Sequence, residues 1–221
     1  MTDYIDGYCE RVMPGFWDEP LNAVTNLAFI IAALILWRLA ARAGTARRPT
    51  FLIPTVLLAL TGVGSFLFHT LANGWSGMAD TLALGFCLLA TIYAAARRFL
   101  GQSWYLALIW PVGMLVAAIA FGRFVPVPGS FYFGPLAAGG VFALALVLRG
   151  HPAGRWIGAA VLVFLPSFFF RTIDEPLCES FHYGTHFLWH ILNGIVLGLA
   201  IRPLAWCDGG GENNGTGRAT G

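Results

Sequence analysis

The sequence predicts an all-α membrane protein, a bundle of seven transmembrane helices with its N-terminus outside and its C-terminus in the cytoplasm. Three observations predict it. Hydrophobic residues make up 57% of the 221 positions and charged residues only 11%, with a mean hydropathy of +0.71. The polar residues that a soluble globule uses to cover its surface are therefore missing. Seven intervals between charges and Gly/Pro breaks approach the roughly 20 apolar residues that a helix needs to cross the hydrocarbon core. The cations, finally, are spread unevenly over the loops between those intervals, as the resistance of Arg to translocation requires.

Taken in order, residues 1–20 form an acidic segment outside the membrane, carrying Asp3, Asp6, Glu10, Asp18 and Glu19. Its acidity, and the late start of the first apolar stretch, predict no signal peptide. The seven spans occupy residues 21–204 and run Leu21–Ala41, Phe51–Leu71, Met78–Ala96, Ser103–Gly122, Phe131–Leu148, Gly154–Phe170 and Gly184–Arg202. Between the second and third, the uncharged stretch Pro49–Ala79 is too long for one crossing, and Asn73-Gly74-Trp75-Ser76-Gly77 reads as the turn that divides it. Arg38, Arg42, Arg47 and Arg48 follow the first span, Arg97 and Arg98 the third, Arg149 and Arg155 bracket the turn after the fifth, and Arg202 ends the seventh. All of these fall on one side, which is the cytoplasm. The other side holds Arg123, Arg171 and most of the acids. Residues 205–221, rich in Gly, Asn and Thr towards the end, read as a flexible tail.

The net charge of +2 comes from 13 arginines and no lysine, placed singly or in pairs. No basic stripe exists, so nothing supports nucleic-acid binding. The absence of lysine in a chain rich in Arg, Ala and Gly points to a GC-rich bacterial genome, and hence to an inner membrane with the site near its periplasmic face.

Ionisable groups at membrane depth are costly, so each is a functional candidate. His69 lies at the outer end of the second span, Asp80 at the outer start of the third, and His186 with His190 in the outer half of the seventh. His186 and His190, spaced i, i+4, present both imidazoles on one helical face, and His69 at the same depth supplies a third. Three protein ligands with the fourth position open is the pattern of a catalytic zinc site. Ser65 shares its face with His69 and could donate to an oxyanion. Taken singly, each residue has a plainer reading: an interfacial histidine, a serine bonded to its own helix, an aspartate paired with Arg. Their conjunction at one depth favours the metal. His182, followed by Tyr183-Gly184, reads as a loop residue.

The series Gly64-Ser65-Phe66-Leu67-Phe68-His69, then Asp80, then His186-Phe187-Leu188-Trp189-His190 with Gly194, resembles the alkaline ceramidase family. That family belongs to the seven-helix membrane hydrolases that include adiponectin-receptor-like proteins. The resemblance extends to Cys9-Glu10, to Glu19 with Asn22 and Asn26, and to Ile173-Asp174 followed by Cys178-Glu179-Ser180. It implies zinc on His69, His186 and His190, Asp80 as general acid and base, Ser65 steadying the oxyanion, and hydrolysis of the amide of a ceramide-like N-acyl lipid. It also implies calcium on Glu10 and Glu19 with Asp6, since hard carboxylate oxygens suit that ion. There the chain departs from the family pattern: Asp6 is displaced by one position, Tyr8 stands where Trp is usual, and Val12 where Asn is usual. The alternative for these acids is a solvated loop. A disulfide between Cys9 and Cys178 is expected, because both match family positions and both fall on the outer, oxidising side.

Rival functions on the same sequence are a non-catalytic lipid sensor on this scaffold, a haem protein and a transporter. Two histidines on one helical turn cannot occupy opposite faces of a haem. Ionisable residues gathered at one depth trace no path across the bilayer, which argues against a transporter.

Overall fold

A computed structural model describes residues 3–206. Among the described residues, seven helices are long and apolar enough to cross a membrane: Pro20–Arg42, Pro49–Leu71, Gly74–Phe99, Trp104–Phe124, Ser130–Leu148, Ala153–Thr172 and His186–Ala205. No strand occurs among them. Of the predicted tail, Ala205 closes a short 3-10 turn (Arg202–Ala205); residues 207–221 lie outside the described residues.

The boundaries differ most at the third span, which starts four residues before the predicted Met78. The residues read as a turn, Gly74 to Gly77, are helical. Asn73 is the reason: its side chain accepts from the Ser76 N–H at 3.2 Å while the Ser76 hydroxyl accepts from the Asn73 N–H at 3.2 Å. This reciprocal cap satisfies backbone donors that a glycine-rich first turn would otherwise leave open. The reversal between spans two and three therefore narrows to Ala72, in the left-handed conformation at φ 44°, and Asn73. The N-terminal segment lies over this reversal, with the Ile5 N–H donating to the Ala72 carbonyl at 2.8 Å.

The first span is interrupted at Asn26, between helices Pro20–Thr25 and Leu27–Arg42. It packs against the second and seventh spans, the second and third are closely paired, and the sixth and seventh close the other flank. Phe51, Leu58, Phe142, Leu146, Leu197 and Ile201 form the fully buried centre of the core. Exposed positions of the same helices are apolar too, among them Ile31, Leu34, Ile119 and Leu144. Acyl chains, unlike water, impose no penalty on such a surface.

Candidate active site

The seventh span begins at His186 because Asp174 ends the chain's approach to it. The Asp174 carboxylate, 2% exposed, accepts from the backbone N–H groups of Thr185 at 2.6 Å, His186 at 2.8 Å and Cys9 at 3.2 Å. A carboxylate placed there satisfies orphan donors of the first turn and complements the helix dipole. Gly184, at φ +61°, precedes this turn, and any Cβ on it would collide with the Asp174 carboxylate and with Cys9. Cys9 and Cys178 are joined by a disulfide with Cα atoms 5.0 Å apart, which ties the N-terminal segment to the loop holding Asp174. Peptide mapping without reductant is expected to recover this pair linked and Cys87 as a free thiol. Both residues found as free thiols in fresh membranes would contradict the bridge and the outside placement of the N-terminus.

His69, at the end of the second span, meets the two histidines of the seventh. One ligand atom from each of His69, His186 and His190 lies within 4.8 Å of the others, and all three residues are buried. Ring centroids are 4.6 Å apart for His69–His190 and His186–His190, and 5.3 Å for His69–His186. The far sides of two rings are held. His69 Nδ1 is 2.5 Å from Glu19 Oε2, and His190 Nδ1 is 3.1 Å from the Thr25 hydroxyl, which itself donates to the Leu21 carbonyl at 2.7 Å. With Thr25 accepting and Glu19 ionised, both Nδ1 atoms carry the proton and both Nε2 atoms keep their lone pair for a ligand. His69 Nε2 is buried with no hydrogen-bond partner, as is His186 Nδ1. Unpaired buried nitrogens are expensive, and three converging imidazoles fit a metal ion that would satisfy them.

Asp80 stands beside this cluster. Ser65 lies beside its carboxylate, whose charge is close enough to feel both His69 and Arg171. Gly64 sets that approach, since a Cβ there would lie 2.8 Å from the Ala79 carbonyl oxygen and 3.2 Å from Asp80 Cα. The structure thus brings Ser65, His69, Asp80, His186 and His190 into one site.

The acids expected to hold calcium are arranged differently. Asp6 is exposed. Glu10 accepts from the Leu21 and Asn22 N–H groups at 2.6 and 2.8 Å, one oxygen to each, and so caps the first helix. Burial pushes its carboxyl above the ordinary range despite those two donors. Glu19 gives one oxygen to Arg11 and the other to His69 and Asn22. Burial pushes the Glu19 carboxyl up, but the His69 imidazole and the Arg11 guanidinium more than offset this and hold it below its ordinary value. Among the described residues, these acids form no convergent cluster of the kind the histidines make.

Other residues were not assigned to the site from the sequence. Tyr8 stacks on His186 with centroids 3.8 Å apart, and burial raises its hydroxyl pKa. Arg171 lies over Tyr132 and Trp189, its guanidinium carbon 5.5 and 5.7 Å from the ring centroids. His182 sits in a turn, stacked on Tyr183. On the face of the seventh span that carries His190, Asn193 and Leu197 continue onto the wall of an apolar cavity of about 830 Å³, counting its open mouth. Tyr132, Leu84, Met114 and Phe164 line it as well. A second apolar cavity adjoins it through Leu84, Leu88, Met114, Tyr132 and Pro135 and reaches Leu82, Phe86 and Leu115 on the third and fourth spans.

In comparison with known families the chain matches the family described as Ceramidase over residues 7–218. No curated protein matches the chain.

Proposed function

The chain belongs to the ceramidase family, and from that premise we propose that it is a zinc-dependent intramembrane hydrolase, cleaving the amide of a ceramide-like N-acyl lipid to a free fatty acid and a sphingoid-type amine. The observation that carries this reading is the convergence of three buried imidazoles, two of them fixed from behind by Glu19 and Thr25. His69, His186 and His190 would hold the ion. When bound, zinc supplies a Lewis acid for the carbonyl and a water whose pKa falls to about 7.

The chain's own residues supply the rest. Asp80 takes a proton from the attacking water and hands it to the amine nitrogen as the C–N bond breaks, a transfer without which an amine is a poor leaving group. Ser65 donates to the oxyanion during reaction. Tyr8, lying against His186, limits water above the site. The acyl chain occupies the apolar cavity, whose walls are aliphatic and aromatic side chains. The second cavity is the lateral way in from the membrane.

The Arg asymmetry supports an outside N-terminus and a cytoplasmic C-terminus, and the Cys9–Cys178 bridge agrees with an oxidising outer compartment. The site then faces the periplasmic side of a bacterial inner membrane. Incubating the detergent-purified protein with N-acyl lipids, and following them by mass spectrometry, is expected to show fatty acid and free amine appearing together. Bound zinc with no hydrolysis of any amide lipid would instead favour the non-catalytic sensor.

A further inference from the structure

Arg11 is the feature of the outer site that the catalytic reading leaves unused. It is 4% exposed, although a guanidinium is almost never found so deeply buried without compensation. Each of its three nitrogens has an oxygen partner. Nε donates to Glu19 Oε1, one terminal nitrogen to the His69 carbonyl at 2.8 Å, and the other to the Gly15 carbonyl at 3.2 Å. Tyr4 covers the group, its ring centroid 5.7 Å from the guanidinium carbon. Three oxygens, from a carboxylate and two carbonyls, thus converge on one positive charge, and carboxylate and carbonyl oxygens are the donor types that a hard divalent cation takes.

We propose that the Arg11 guanidinium occupies the place a divalent cation would fill beside this metal centre, so that the protein works without calcium, and that Arg11 acts through Glu19 as a positioning residue for His69. The residues present do not fit a calcium ion. Glu19 has no free oxygen, both oxygens of Glu10 accept from backbone N–H groups, Asp6 is exposed, and a second cation beside a buried guanidinium would be repelled in a medium that screens poorly. A cation supplied by the chain itself neutralises Glu19 without depending on any ion concentration. The neutralised carboxylate then keeps its second oxygen on His69 Nδ1. Partners of this kind fix the ring and tautomer of a metal-binding histidine, and their loss typically costs about 10–100-fold in metal affinity. Arg11 also grips the His69 backbone directly, so both ends of that residue answer to one side chain.

This inference rests on the zinc reading of His69, and elemental analysis separates the two. Protein purified without added calcium is expected to contain zinc and no calcium, and added calcium chloride should change neither its thermal midpoint nor its lipid amidase rate. In Arg11→Ala, competition with a zinc-binding dye should report affinity about 10–100-fold weaker. Millimolar calcium should partly restore it, because the three vacated oxygens then face an ion that suits them. Arg11→Lys retains the charge and should hold zinc more tightly than Arg11→Ala without any calcium response. Calcium copurifying with the unaltered protein, or required by it, would overturn the proposal even if Arg11→Ala fails to fold. Unchanged zinc affinity in Arg11→Ala would overturn the coupling to His69, and a missing calcium response there would overturn the claim that a cation's place is filled. Absence of zinc from the unaltered protein would sink the metal reading itself.

Discussion

Asp80→Asn is expected to keep its zinc and lose about 10²–10⁴-fold in turnover, the usual worth of general acid and base catalysis. The amide preserves size, but it cannot take a proton from water and return it to an amine. His69→Ala, His186→Ala and His190→Ala should behave otherwise, losing zinc and activity together, since each removes one of three ligands. Ser65→Ala should fall between them in kind: metal retained, with a rate loss on the order of 10²-fold if its hydroxyl donates to the oxyanion. Metal content and fatty-acid release measured on the same preparations distinguish the classes. Full zinc in both His186→Ala and His190→Ala would remove the site as drawn, and normal turnover in Asp80→Asn would leave the proton transfer to another group.

Asp174→Ala should be the most destabilising of the single changes outside the histidines. Three backbone N–H groups converge on this buried carboxylate, from Cys9, Thr185 and His186. Hydrogen bonds to charged groups are worth about 1.5–3 kcal/mol each, and the abandoned donors stay buried, so a loss on the order of 4 kcal/mol is expected. For a chain of this size that corresponds to a fall in thermal midpoint on the order of 10 °C. Zinc affinity should fall with it, because the Asp174 bonds fix where the seventh span begins and so where His186 points. Glu175→Ala, at the exposed neighbouring position, serves as control and should leave both quantities unchanged. A midpoint for Asp174→Ala equal to that of the unaltered protein would show that water enters and satisfies the freed donors.

Much of the site was legible in the sequence because its signals are local or follow from span counting. The His186–His190 spacing fixes a shared face whatever surrounds the helix, and alternating span directions bring His69 and Asp80 to the same layer. The partners behind the rings were not legible. Glu19 meets His69 across 50 residues and Thr25 meets His190 across 165, and neither pairing has any periodicity to betray it. Arg11 carries no mark of its role until its burial is known. Glu10 and Glu19, equivalent as acidic residues in a loop, turn out to cap a helix and to brace a metal ligand respectively.

The sequence by itself determined the class of the protein and the number of its spans, because the bilayer leaves hydrophobic length as nearly the only requirement on a crossing helix. It also determined the histidine pair, through the pitch of the helix. How the second and third spans join is local as well: the glycine-rich stretch favoured a turn, and the reciprocal cap between Asn73 and Ser76, three residues apart, outweighed it. Only the tertiary structure decided which acids face which cations, because a buried charge takes whatever partner packing delivers to it, and packing depends on helices far apart in the chain.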